Sequence, residues 1–237
     1  NLSKDIDLGD FDPLARARFL SLSRQFEASA TEYEKILLSN KLNFDQLINF
    51  DPMVEYLILT LRVKNDSERA LKTFTAMQRK PYPEVIKLEV IAWTDALKLI
   101  GKDGNAGNDL QHARRLIVEA KASMEFPRDR SGMVQYVLAS KFLQEYLKQD
   151  GLPEDLKASA YYELGGCELI LATSFSADEA NVYFGEAIHL APKSALARKA
   201  YARYEENIFY GYSGSSGMHL PDDEKKKLDD LKKIAFD

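Results

Sequence analysis

Cysteine occurs once in the 237 residues, at Cys167. No intramolecular disulfide can form, and a cysteine-based zinc site is excluded by count. The three histidines, His112, His189 and His219, are never three or four residues apart, which removes the paired imidazoles of a helical metal site. Excess positive charge is also missing. The 32 basic and 37 acidic residues leave a net charge of −5, and their interleaving offers no basic stripe for phosphate binding, so nucleic acid is not an expected partner. No apolar run reaches about 18 residues, so no segment is expected to span a membrane. Period-two alternation is scarce, and strands are expected to be few or absent. An initiating methionine is absent too: the chain opens on Asn1. This leaves room for a cleaved leader or a lipid anchor upstream.

Catalytic constellations are lacking in the same way. One cysteine and no supporting serine or histidine signature give no nucleophile and base, and the many carboxylates are spread over charged helical segments. No enzymatic activity, cofactor or metal is expected. Cys167 lies in the apolar run ELGGCELIL and reads as a small buried hydrophobe. Two loops, DIDLGD at 5–10 and DGNAGND at 103–109, alternate oxygen ligands as calcium loops do, but the glycine is misplaced and the closing glutamate missing. The stretch GYSGSSG at 211–217 has three glycines without the lysine of a phosphate loop, and reads as a connector.

Hydrophobic residues make up 45% of the chain and charged ones 29%, a balance that supports a packed core without staples. Residues 1–12 are polar and unpatterned and read as a tether. From Pro13 onward apolar residues recur at three- and four-residue spacing. Turn and cap signals divide this pattern into eleven helices, at about 13–25, 26–39, 52–64, 66–79, 83–100, 108–124, 131–149, 153–173, 177–190, 193–210 and 221–235. Asn65 with Glu68, and Ser176 with Glu179, have the capping-box spacing, and Asp51-Pro52 opens a helix. The connectors are mostly short, so successive helices are expected to be antiparallel neighbours.

Within this pattern the segment ANVYFGEAIHLAP places Ala180, Phe184, Ala187 and Pro192 at small-aromatic-small-proline spacing. Upstream, Tyr161, Leu164 and Gly165 supply an aromatic, a leucine and a glycine. Small residues let two helices approach, the aromatics fill the space between them, and proline ends the pair. Weaker copies contain Val54, Leu57, Ile58, Leu61, Ala70, Phe74, Met77 and Pro81; Ala113, Ile117 and Ala120 before Pro127; and Ser29, Tyr33 and Ile36. Over residues 13–210 the chain resembles the tetratricopeptide repeat family. The resemblance implies an all-α solenoid of antiparallel helix pairs, one domain over 13–237, with 221–235 as a capping helix. Nine extra residues around GKDGNAG and an unpaired helix at 131–149 make the stack irregular near 125–150.

In that family the outward positions of each first helix line a groove. Here the groove positions are Glu55, Leu59 and Arg62; Glu89 and Trp93; Tyr162 and Leu169; and Lys199 and Arg203. Glutamates stand where members that clamp a terminal carboxylate carry lysine and asparagine, so that subclass is not matched. Aromatics anchor partners well, which singles out Trp93, Tyr162 and the group Tyr201, Tyr204, Tyr210 and Tyr212, with Leu59, Lys199 and Arg203 as further contacts. The expected function is a non-enzymatic scaffold for a protein or peptide partner. More loosely, the helical pattern and EAIHLAP resemble bacterial periplasmic lipoproteins of this repeat type, such as the T-component of TRAP transporters, and imply a periplasmic or envelope location over a cytoplasmic one. A small-molecule or lipid-binding helical protein is the other alternative.

Overall fold

The computed structural model describes residues 12–39, 51–100, 110–126, 129–172, 179–214, 217–218 and 220–237. Residues 1–11 of the expected 1–12 tether, both calcium-like loops, Pro127, Ser176 and His219 lie outside them. The described chain is helical, apart from an antiparallel bridge that pairs Ser213 with Met218 and Gly214 with Gly217. Its helices are α1 (Pro13–Leu22), α2 (Phe26–Leu37), α3 (Asp51–Leu57), α4 (Ser67–Met77), α5 (Glu84–Ile100), α6 (Leu110–Ser123), α7 (Met133–Leu147), α8 (Glu154–Leu171), α9 (Glu179–Leu190), α10 (Ala195–Gly211) and α11 (Asp222–Phe236). Each of the eleven expected helices is present. The helix opened by α3 continues as a π-helical turn over Ile58–Val63, which the apolar spacing does not signal.

Local chemistry sets the boundaries. Asp12 caps α1 by accepting from the N–H groups of Leu14 and Ala15, with Pro13 in the first turn, where a missing donor does no harm. Arg24 then takes a left-handed conformation with φ 58°. Its N–H donates to Ser21 O, and that of Gln25 to Leu20 O, the paired bonds that close a helix end. Lys193 repeats the left-handed junction with φ 58°, and its N–H donates to Ile234 O of α11 at 3.0 Å. The expected cap at Asn65 is corrected. Asn65 is itself left-handed and finishes the π-turn, while Asp66 caps α4 by accepting from Arg69 N at 3.0 Å.

The chain divides into two compact units, one of residues 1–106 and 116–138 and the other of 107–115 and 139–237. Helices α6 and α7 are each shared between them, in the stretch where the sequence falls out of step with the helix-pair scheme. In the first unit α1 packs on α2, α2 on α3 and α4, and α4 on α5. An aromatic row joins four helices there. Tyr33 of α2 faces Tyr56 of α3 with centroids 6.5 Å apart, Tyr56 meets Phe74 of α4 edge-on at 5.9 Å, and Phe74 meets Trp93 of α5 at 5.3 Å. Such tilted and edge-on pairs suit the ring quadrupoles. Tyr82 donates to Leu37 O, and burial pushes its phenol up to about 12. A Cβ on Gly132 would lie 2.5 Å from the carbonyl oxygen of Ala120, so only glycine allows this approach of two backbones.

In the second unit α8 packs on α9, α9 on α10, and α10 on α11, with further contacts from α8 to α10 and α9 to α11. Leu164, Gly165, Ala180, Phe184 and Ala187 are all buried. Tyr161 and Tyr162 are half-buried against the same core, and Pro192 stands exposed in the turn after α9. The helical residues of the weaker copies are buried too, with Ile58 and Ile117 only partly so, while Pro81 is exposed. Helix α11 covers this core with Leu228, Leu231 and Ala235. Three acids in its first turn and Lys233 in its last complement the helix dipole.

Gly165 and Gly166 give opposite tests of this packing. A Cβ on Gly165 would lie 2.7 Å from the Phe184 ring, whereas one on Gly166 would meet nothing within 4 Å. Gly166→Ala should stabilise by about 0.5–1 kcal/mol through helix propensity. Gly165→Ala should lose that gain to overpacking and destabilise by about 1–2 kcal/mol net. Urea denaturation separates the two, and equal effects would contradict the close approach.

Candidate interaction surface

Helices α5, α8 and α10 carry most of the residues expected to meet a partner, and they place them very differently. Trp93 has no exposed surface, and Leu59 is 2% exposed. Both are core residues. A side chain enclosed by its own fold presents no area to a partner, so these two contact assignments are corrected. Glu55 and Glu89, expected on the groove face, are buried as well.

Glu55 is held between helices. Arg18 of α1 donates from Nε to both of its oxygens at 3.2 and 3.0 Å and from Nη2 to Oε1 at 2.7 Å. Tyr33 of α2 donates to Oε2 at 2.8 Å. Burial, followed by the nearby Glu55 charge, pushes the Tyr33 phenol far up, so it remains a donor. Beside this, Arg69 of α4 donates to Glu34 of α2 at 2.5 and 3.1 Å and to Glu27 at 2.7 Å, while Lys64 donates to Glu27 as well. Against the cost of burial, the bonds from Arg69 and Tyr56 hold Glu34 below the ordinary carboxylate range. These networks clamp α1, α2, α3 and α4 together, and they join residues 22 to 42 positions apart. Only the glutamates on apolar helix faces hinted at them.

Glu89 sits at the end of the aromatic row. Its Oε1 accepts from Arg130 N at 2.9 Å, Trp93 donates to Arg130 O at 2.6 Å, and its buried Oε2 has no hydrogen-bond partner. Burial pushes the Glu89 carboxyl above its ordinary range, with the Asp129 charge adding to this and the Arg130 N–H opposing it. Asp129 itself is kept low despite burial by bonds from Ser131 and from Glu125 N. Because folding raises the Glu89 value, the folded state holds its proton over a pH range in which the unfolded chain has released it. This contribution therefore favours folding at acid pH and is lost as pH rises through the folded value. Glu89→Gln should flatten that decline and be at least as stable as the parent at pH 8, with guanidinium denaturation at pH 5 and 8 as the check. An unchanged pH slope would contradict the assignment.

The second unit is where the expected contacts reach the surface. Lys199, Arg203, Glu206 and Tyr210 follow one another at four-, three- and four-residue steps on α10, which aligns them on one face. All four are exposed, Tyr210 at 83%. Arg203 donates to Glu206 at 3.1 Å with both side chains open to water, a pairing weak enough to exchange for another. Arg198 adds a neighbouring exposed cation and bonds Lys193 O at 2.8 Å. The opposite face is fixed. Ala197, Ala200, Tyr201, Tyr204 and Ile208 are buried, and Tyr201 also donates to Glu205 at 2.8 Å and meets Phe236 edge-on at 5.8 Å. The tyrosine group thus splits, with Tyr201 and Tyr204 in the core and Tyr210 and Tyr212 outside. Tyr162 packs on Phe184 at 5.9 Å, and Leu169 is half-buried beside the same core.

No family model, curated protein or solved structure matches the chain. Cys167 is buried in α8. His112 meets Phe142 edge-on at 4.8 Å, and His189 lies on the surface against Gly185 O. Among the described residues no group of three or more metal-ligating side chains converges, and no helix is long and apolar enough to cross a membrane.

Proposed function

We propose that this protein is a non-enzymatic helical-repeat scaffold that receives a protein or peptide partner on the exposed face of α10. One observation carries the reading: a helix locked into the core on one side presents Lys199, Arg203 and Tyr210 on the other. Two cations with an exposed phenol ring suit a segment bearing carboxylates next to an apolar group, because tyrosine adds contact area at low entropic cost and the cations steer the approach.

The tetratricopeptide-like arrangement belongs to the same proposal. Contacts between successive helices from α1 to α5 and from α8 to α11, with α2 also reaching α4, α8 reaching α10 and α9 reaching α11, support it, as does the burial of Gly165, Ala180 and Ala187 at the helix-pair seam. In a stack of this kind each pair hides its apolar face only against its neighbours. A transport-associated partner, as the likeness to the T-component implies, falls within this proposal.

Photo-crosslinking tests it. A benzophenone amino acid at position 206 should capture a discrete partner, and the yield should fall at least tenfold when Lys199 and Arg203 are both changed to glutamate, a loss of about 1.4 kcal/mol or more. The same probe at the exposed position 232 on α11 is the control. Equal capture at both positions, or capture that ignores the charge reversal, would sink the proposal.

A further inference from the structure

Helix α5 has two apolar faces, and the fold uses one. Ile86, Val90, Trp93 and Leu97 are buried. Val85, Leu88 and Leu99 form a second line at helical spacing, with Leu88 and Leu99 each 60% exposed, and Ala92 lies between them. At 100° per residue these four fall within about 60° of one another. Along one flank of this line runs a row of charge with Ile91 at its middle. Lys87 and Asp95 stand four residues before and after Ile91, and Glu84 and Lys98 seven before and after. The same helical rule places all five within about 80° of arc.

The order of signs is the informative part. Reading outward from Ile91, one direction shows Lys then Glu and the other Asp then Lys. A half-turn about Ile91 therefore lays every charge against its opposite. Glu84 meets Lys98 of a second helix, and Lys87 meets Asp95. We propose that α5 pairs antiparallel with α5 of a second copy of this chain, with Ile91 against Ile91 at the two-fold axis and the Val85, Leu88 and Leu99 line as its seam. Flanking charges at like positions meet in this way when helices pair antiparallel, and a two-fold contact requires one patch to complement itself.

Other occupants fit less well. The four charges sum to zero, so the row attracts neither an acidic nor a basic segment, and it lacks the cationic excess that an anionic lipid surface recruits. The Asp95 and Lys98 side chains, 2.9 Å apart within the helix, are both largely exposed and free to exchange partners. Seventeen residues make a helix about 25 Å long, and one such seam is small beside the interfaces of permanent dimers. The association is therefore a reversible one in the micromolar range.

Sedimentation velocity on the whole 26.9 kDa chain, from roughly 1 μM to 1 mM, a span that brackets about 4–8 kcal/mol of binding, reads this directly. The mass should climb toward twice that of the chain. Glu84→Lys and Lys98→Glu should each weaken the dimer about tenfold or more, while the double swap should return it to within about threefold of the parent. Leu88→Glu should leave a monomer with unchanged helical dichroism. A parent chain that stays monomeric throughout overturns the proposal and assigns the stripe to a different partner. Dimerisation indifferent to the single charge changes, or a double swap no better than its parts, overturns it equally.

Discussion

Trp93→Ala is expected to destabilise the first unit by about 3–5 kcal/mol, the largest effect of any single truncation in that core. The indole has no exposed surface and closes the aromatic row at Phe74, 5.3 Å away, so truncation removes an area term, an edge-on ring contact and the filling of a large volume together. It also removes the indole donor from Arg130 O, which keeps the Met133 N–H at 3.1 Å. Trp93→Phe separates these terms. It keeps a ring against Phe74 and loses the hydrogen bond, so its cost should fall to about 1–3 kcal/mol. Dichroism-monitored urea unfolding gives both values. If Trp93→Ala cost less than Trp93→Phe, the indole would not be a core residue. Partner capture through α10 should be unchanged in Trp93→Phe, since the ring has no surface to offer.

The second large effect belongs to Arg18. Arg18→Met takes three hydrogen bonds from Glu55 and leaves a carboxylate of 7% side-chain exposure to which the Tyr33 hydroxyl still donates. An uncompensated buried charge of this kind costs about 3–5 kcal/mol. The pair itself is a poor guide to net stability, because desolvation offsets most of the attraction. Arg18→Met combined with Glu55→Met should therefore recover most of the loss, short of the penalty for a Tyr33 hydroxyl without its acceptor. A double-mutant cycle measures the coupling, and additivity of the two single changes would show that the contact carries no energy. Being buried, the coupling should also persist at 1 M salt, where exposed pairs such as Lys225 with Asp222 are screened.

Helices are legible because a 3.6-residue period survives whatever the helix packs against, and turn and cap signals then divide that pattern into the eleven segments. Which apolar residue faces inward was harder to read. Helix α5 carries apolar side chains at Val85, Ile86, Leu88, Val90, Ile91, Trp93, Leu97 and Leu99, almost all the way round, and period alone cannot say which arc meets α4. Spacing therefore puts Trp93 on the groove face, whereas in the fold it is Leu88 and Leu99 that face water. The seam between α8 and α9 was readable because it depends on residue size: Gly165 opposite Phe184 has one packing solution, and the structure adopts it. The π-turn over Ile58–Val63 adds a residue that no composition signals, and it moves the cap of α4 from Asn65 to Asp66. Lys199 and Arg203 are exposed, since long charged side chains seldom bury without a partner.

The place of Trp93, the sole tryptophan of the chain, gives the protein a built-in optical reporter. Its indole is dry and belongs to the first unit alone, whereas the second is rich in tyrosine. Emission should be blue-shifted in the native state and should move to longer wavelength only when the first unit opens. Far-ultraviolet ellipticity, by contrast, sums over every helix. Heating one sample while following both signals therefore asks whether the halves melt as one cooperative body: superimposed curves mean that they do, and displaced midpoints mean that each holds its own stability.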